Sequence, residues 1–475
     1  MSIAELADRI GSGALTARAA VEESLRRIER AEELNAFISV RPDRALEEAD
    51  ELDRRGPAGP LHGVPMAVKD VLDVAGERTT AGSRILADNV ATRDAAAVAA
   101  LRAAGAVIVG KLNTHEFAYG AMTTSPHFGA ARNPWDASRI CGGSSGGSGS
   151  AAAARLVPAT LGTDTAGSIR IPACFCGVTG IRPTTGRVSN RGVVPVSFTL
   201  DTVGPLAPSA EDCAVVLEAI AGHDGHDPTT ADVPVPSYRD DLGRGVAGLR
   251  IGLVRKLVDR ADPRIGAAAE AAANELAGLG AHVDEVEVPL LDEAATILQL
   301  TLLPEAAEVH LPWLRTRLVD YGADVRVRLL TGLLLPATAA VTGRRARRWF
   351  CDQLGDVFAR FDVLAAPEML VLPPKIGEDT VELGGERILY RLSLMPTNSP
   401  WTLAGIPIAS VPCGFADGLP VGLALAGRRF EEATVLRAAH AFQTVTDWHA
   451  RRPPVAFDDA SSGGVYTRSH SEKGA

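Results

Sequence analysis

Helix-like and strand-like segments alternate along most of this 475-residue chain, which limits it to folds in which a sheet is covered by helices. Ile3, Leu6, Ala7 and Ile10 recur at helical spacing, and so do Val21, Leu25 and Ile28 behind Thr16, a residue suited to cap a helix start. Further helices are expected over about 43–55, 93–104, 209–221, 263–278, 293–310, 337–360 and 431–445. Apolar runs between them predict strands near 64–72, 106–109, 249–254, 282–288, 362–366, 406–412 and 420–426. The pattern predicts an α/β fold whose sheet carries helices on both faces.

A single core rarely grows past about 250–300 residues, so length alone predicts two or three domains. The stretch His223–Gly245, with three prolines and three glycines, is either a linker or a long surface loop. Residues 457–475 are polar and Gly/Ser-rich, a composition that predicts disorder. The net charge of −10 offers no basic footprint, so no nucleic-acid partner is expected; Arg344, Arg345, Arg347 and Arg348 read as a solvated helix face. No basic leader precedes an apolar run, and no stretch of about 18 apolar residues occurs, so a cytoplasmic chain without a membrane partner is expected. Six cysteines then read as buried free thiols, and Cys174 and Cys176 lack the second pair that zinc needs, so no metal is expected.

Of 48 basic residues only five are lysines (69, 111, 256, 375 and 473). Arginine supplies the ordinary surface charge, and lysine alone can be made neutral by burial. Lys69 ends the apolar run of Leu61–Asp70, where burial would turn it into a base; pairing with Asp70 or reaching solvent is the bland alternative. Cys141–Ser150 (CGGSSGGSGS) joins hydroxyls to a permissive backbone and runs into the helical stretch Ala151–Leu156. Its Gly142-x-Ser144-x-Gly146 imitates a nucleophile elbow but follows a loop instead of a buried strand. Gly105-x4-Gly110-Lys111 imitates a phosphate loop, yet Leu112 stands where a magnesium-binding hydroxyl is needed. In Leu161–Pro172 (LGTDTAGSIRIP), a short apolar run leads to a tight turn whose N–H groups can converge on one anion, or which is simply a capped glycine turn. His62 reads as a loop histidine, so a Ser-His-Asp triad has no local support.

Together these segments resemble the amidase signature family, in which a lysine, a serine of a GGSS turn and a serine of a GTDxxGS turn form a triad. Lys69 and Ser144 are 75 positions apart and Ser144 and Ser168 are 24 apart, as that family's pattern has them. Gly110–Asn113, Glu116–Ala118, Asn133–Trp135, Gly177–Arg187 and Leu403–Gly422 extend the likeness to about residues 1–450. The resemblance implies a large mixed β-sheet sandwiched by helices on both faces. It also implies one domain over 1–455, with a helical segment over about 1–55 and a tail over 456–475. Ser168 is implied as nucleophile, Ser144 behind a cis peptide bond as proton relay, and Lys69 as base. The N–H groups of Thr165, Ala166, Gly167 and Ser168 would hold the oxyanion, Asp164 and Arg170 would brace the turn, and Lys111 would be structural. Ala166 departs from the Gly-Gly that many members carry, which is harmless where its φ is negative.

The family includes lipid, peptide and aryl amidases, some members cleaving esters or carbamates (urethanes), and the A subunit of a tRNA-dependent amidotransferase. The favoured expectation is a stand-alone hydrolase of small or aromatic carboxamides. It would need a small-molecule amide and water as partners and no cofactor, with a homodimer left open. Gly120, Ala121 and Met122, and the segments Leu298–Pro304 and Leu392–Trp401, are the expected acyl pocket. The alternative is the amidotransferase's A subunit, which acts as a glutaminase and frees ammonia for a partner. Against it, Met395 stands where that group carries an acidic residue for the glutamine ammonium; for it, Arg328 matches a carboxylate-binding arginine.

Overall fold

The computed structural model describes residues 1–455, so the polar tail expected to be disordered lies outside the described residues. Eleven strands form one sheet: β1 (Phe37–Val40), β2 (Pro65–Lys69), β3 (Val107–Leu112), β4 (Ala159–Asp164), β5 (Thr179–Arg182), β6 (Thr202–Ala207), β7 (Arg250–Val254), β8 (His282–Val286), β9 (Val363–Pro367), β10 (Ile408–Ala416) and β11 (Leu419–Gly427). Their order across the sheet is β1-β3-β2-β4-β6-β5-β10-β11-β9-β7-β8. β2 lies parallel to β3 and β4, and β7 lies parallel to β8 and β9. The remaining pairs are antiparallel, so the sheet is mixed.

Side chains alternate across a strand, and here both faces are covered. Met66, Val68 and Ile108 point into the main core. Ala67, Val107 and Val109 point the other way, under the helices Ala17–Arg30 and Pro42–Arg55. This double burial is why β2 and β3 read as continuous apolar runs. Thr16 caps its helix as expected, its hydroxyl accepting from the Ala19 N–H at 3.0 Å. Both flanks of His223–Gly245 join the same sheet; the stretch is tied down by Arg187, which donates to the Val233 and Pro234 carbonyls, and it ends in a short helix, Tyr238–Leu242, whose Tyr238 and Leu242 are buried. Among the described residues no single helix is long and apolar enough to cross a membrane.

The departures from expectation have local causes. β6 escapes the pattern because it contains Gly204 and Pro205; a Cβ on Gly204 would lie 2.2 Å from the Ile181 carbonyl oxygen, so only glycine lets β5 and β6 meet. Helix Tyr390–Ala404 carries Pro396 and Pro400 inside it. Helix Ala323–Leu334 leaves Val327, Leu330, Leu333 and Leu334 exposed, which blurs its polar face. Arg347 is not solvated like its neighbours, since its guanidinium donates to the Leu403 carbonyl at 2.8 Å.

The Gly/Ser run is also not a loop leading to a helix. The helix is Gly146–Ala153 itself, buried throughout between β4 and the helix Arg170–Cys176. Its glycines give other backbone room: a Cβ on Gly147 would meet the Ala36 carbonyl oxygen at 2.4 Å and the Asn113 nitrogen at 2.5 Å. Gly147→Ala is therefore expected to destabilise the chain by about 1–3 kcal/mol. Gly278→Ala, at an exposed helix end with nothing near, should be neutral or stabilise by up to about 1 kcal/mol. Urea denaturation of the two variants checks both signs.

Candidate active site

β2 and β4 run parallel side by side, so their C-terminal ends bring Lys69 and Asp164 to one edge of the sheet. Lys69 is fully buried, with Nζ 2.7 Å from Ser144 Oγ and 2.8 Å from Thr163 Oγ1. Burial pushes its amine down to about 7, against the opposing fields of Asp164 and Asp201. The bland fate for Lys69, pairing with Asp70, is taken by Lys111: its Nζ lies 2.8 Å from Asp70 Oδ1 and also reaches the Arg78 carbonyl and Thr79 Oγ1, each at 3.0 Å. One buried lysine is thus an ion-pair member, and the other is left to two hydroxyls. A neutral amine so placed has a lone pair to offer Ser144 while it donates to Thr163.

Ser144 is buried, and the Gly143–Ser144 peptide bond is cis. Thr123 Oγ1 fastens this turn, donating to the Gly142 carbonyl at 2.9 Å and accepting from the Gly146 N–H at 3.1 Å. The Ser145 N–H donates to the Ser168 carbonyl at 3.2 Å, which ties the Ser144 turn to the Ser168 turn. Neither look-alike motif survives: Lys111 lies within β3, and the residues before Ser144 form no strand.

Asp164 organises the turn that carries Ser168. Its carboxylate accepts from the N–H groups of Gly167 (2.8 Å) and Ile169 (3.1 Å), which bracket Ser168, and from Arg170 Nε (3.1 Å) and Arg182 Nη1 (3.1 Å). Burial alone would raise this carboxyl, but Arg170 and Arg182 hold it well below the usual carboxylate range. The Gly167 N–H, expected in the oxyanion hole, donates to Asp164 in this structure. The N–H groups of Thr165, Ala166 and Ser168 take no hydrogen-bond partner among the described residues. Ala166 has no positive φ, so its departure from glycine leaves the turn unstrained, whereas Gly167 sits at φ 112°. Thr165 Oγ1 donates to the buried carboxyl of Asp201 at 2.5 Å, an anchor that no sequence pattern pointed to.

The segment Gly120–Met122 borders these turns. A Cβ on Gly143 would lie 2.8 Å from both Ala121 C and Met122 N, and Tyr390 Oη donates to the Ala121 carbonyl at 3.3 Å. A Cβ on Gly120 would strike the His115 ring, whose Nε2 lies 2.8 Å from Asp324 Oδ2. Arg328 pairs with the same Asp324 at 2.6 Å and stacks over Tyr119 at 4.8 Å, so it stands beside this segment. Leu298 and Leu302 are buried in the main core. Two cavities of about 530 and 550 Å³ lie away from these turns, one lined by Ala271, Cys413 and Trp448 and the other against the N-terminal helices.

A model of the Amidase family matches residues 19–436. The A subunit of the glutamyl-tRNA(Gln) amidotransferase of Chloroflexus aggregans is 40% identical over 94% of this chain and 96% of its own length. A solved structure described as a vestigial protein complex that reveals the evolutionary origins of an s-triazine catabolic enzyme superposes with a TM-score of 0.89 at 38% identity, covering 94% of this chain and 98% of that one. A bacterial aryl acylamidase of the amidase signature family superposes with a TM-score of 0.88 at 27% identity, over 95% and 99%. The fold is thus the amidase signature fold.

These relatives overturn the favoured expectation of a stand-alone hydrolase of small or aromatic carboxamides, because the curated ones are amidotransferase subunits. They overturn as well the expectation of small-molecule partners with no nucleic acid, since a glutamyl-tRNA stands in their names. The cause of both errors is physical. The motifs around Lys69, Ser144 and Ser168 carry the family likeness and say little about the acyl group, and net charge averages over a surface without describing an assembly.

Removing the carboxylate of Asp164 would leave Arg182 buried without its carboxylate and Arg170 facing only Glu368, at 3.8 Å. Asp164→Ala is expected to lower stability by about 3–5 kcal/mol, read as a shift of the denaturant midpoint at constant slope.

Proposed function

This chain belongs to the Amidase family of hydrolases acting on carbon–nitrogen bonds, and from that premise we propose that it is the amide-cleaving A subunit of a glutamyl-tRNA-dependent amidotransferase. The observation that carries the reading is a buried Lys69 held 2.7 Å from Ser144 Oγ in a chain 40% identical to such a protein over 94% of its length. Its substrate is then the side-chain amide of glutamine. Its partners are a further subunit that receives ammonia and, through it, the aminoacylated tRNA. Six cysteines, all free thiols, suit work in the cytoplasm.

In this reading Ser168 Oγ attacks the amide carbon, and its proton passes to Ser144, whose own proton passes to neutral Lys69. The unspent N–H groups of Thr165, Ala166 and Ser168 receive the oxyanion, at roughly 3–4 kcal/mol for an important donor. The proton returns through Ser144 to the nitrogen, the C–N bond breaks and ammonia leaves. Water then cleaves the Ser168 ester. Arg328, beside Gly120–Met122, is the partner for the substrate carboxylate. Met395 offers no charge to the glutamine ammonium, so recognition rests on the carboxylate and the amide.

Three outcomes follow for the purified chain, with and without its partner subunits. Ser168→Ala should lower glutamine hydrolysis by at least about 10³-fold with folding retained. The rate should rise about tenfold per pH unit below about 7 and stop rising beyond it, because Lys69 is a base only when deprotonated. A rate flat across that range would remove Lys69 as the base. Glutamine and glutaramate, which lacks the ammonium, should be hydrolysed with similar kcat/KM, and Met395→Asp should favour glutamine by roughly tenfold. Absence of glutaminase activity in the assembled complex would overturn the reading.

A further inference from the structure

We propose that Glu368 is a positioning residue for the nucleophile turn, acting through the Arg170 guanidinium on Asp164. The inference rests on the assignment of Ser168 as nucleophile. Glu368 follows the last residue of β9, where its N–H donates to the Gly422 carbonyl at 2.9 Å. Its side chain is fully buried, and neither carboxyl oxygen takes a hydrogen bond among the described residues. The cation nearest to it is Arg170, whose Nη1 lies 3.8 Å from Glu368 Oε1 and is itself without a hydrogen bond. The rest of that guanidinium is committed, Nε to Asp164 and Nη2 to Asp164 at 3.3 Å and Thr402 Oγ1 at 3.1 Å.

Two buried carboxyls therefore face one arginine, and only Asp164 holds it. The titratable groups facing Glu368 are Arg170 and Cys174 of the helix Arg170–Cys176 and Asp164 at the end of β4. Burial pushes the Cys174 thiol far above the usual range, so it stays neutral. Burial likewise pushes Glu368 up to about 8, with Arg170 opposing and Asp164 reinforcing the shift. Near neutral pH Glu368 is uncharged, and Arg170 belongs to Asp164. Once Glu368 ionises, a second carboxylate competes for the same guanidinium and draws it away from Asp164. Asp164 fixes the Gly167 and Ile169 N–H groups on either side of Ser168, so the loss is felt at the nucleophile. A neutral Glu368 fills the space behind Arg170 without pulling on it.

The test uses a fluorophosphonate on the full chain, which needs no knowledge of the amide substrate. Ser168 Oγ bonds to phosphorus, fluoride leaves, and the serine proton passes through Ser144 to Lys69. Second-order labelling rates are measured from pH 6.5 to 9 for the wild type, Glu368→Gln, which keeps the shape, and Glu368→Met, which keeps the length without a titrating group. Taking the ratio of variant to wild type cancels the titration of Lys69. The ratio is expected to rise at least threefold across the range for both variants. A purely structural role would change the rate or the melting temperature but leave the ratio flat. A Ser168 adduct in the wild type with a flat or falling ratio overturns this inference alone. No Ser168 adduct in the wild type removes the nucleophile assignment, and the inference with it.

Discussion

The site depends on a buried carboxylate, Asp164, held between two buried arginines. Taking one carboxylate and two guanidinium groups out of water is costly, and only close geometry offsets that cost. Here the geometry is spent on the backbone: the same two oxygens that meet Arg170 and Arg182 also hold the N–H groups on both sides of Ser168. Arg182 goes further and donates to the Asp164 carbonyl and the Leu200 carbonyl, joining the end of β4 to the segment before β6. Through Asp201 and Thr165 that segment returns to the turn. Ser168 sits on a short loop braced by ion pairs beneath it.

Around this turn the chain separates two lysines that look alike in sequence. Lys111 on β3 satisfies Asp70, so the negative charge nearest Lys69 along the chain is already neutralised. Lys69, one strand over, is left with hydroxyls and burial. Burial lowers the proton affinity of Lys69, and the β2–β3 pairing delivers Lys111, not Lys69, to Asp70. The packing of glycines does comparable service for Ser144. The helix that begins two residues after it fits this closely because Gly146, Gly147 and Gly149 carry no side chain against Thr123, the Ala36 and Asn113 backbone, and Pro172.

The residues that the proposed function gives to bond cleavage and to the acyl group come from different parts of the chain. Lys69 ends β2, Ser144 stands just before the helix Gly146–Ala153, and Ser168 lies in the turn after β4. Gly120–Met122, Arg328 and Met395, which the proposed function gives to the acyl group, come from loops and from helices after residue 320. One fold hosts more than one amide chemistry, and this chain is similar both to an aryl acylamidase and to subunits of an amidotransferase.

Much of this was legible in the sequence because local chemistry dictated it. The scarcity of lysine drew attention to Lys69, a family resemblance carried by three motifs pointed to Ser144 and Ser168, and apolar periodicity located most helices and the doubly covered strands. Thr163, Asp201 and Glu368 were not legible, because each matters through a partner distant in the chain, and no pattern announces a contact made by the sheet order. β6 and the helix Tyr390–Ala404 were hidden for the opposite reason: glycine and proline, read locally as breakers, are there because packing demands them. The sequence by itself determined which groups can react and how the chain alternates. Only the tertiary structure decided which lysine would be neutral, which N–H groups would stay free and which carboxyl would hold Arg170. Those outcomes depend on burial and on competition between charges, which exist only once distant segments are packed together.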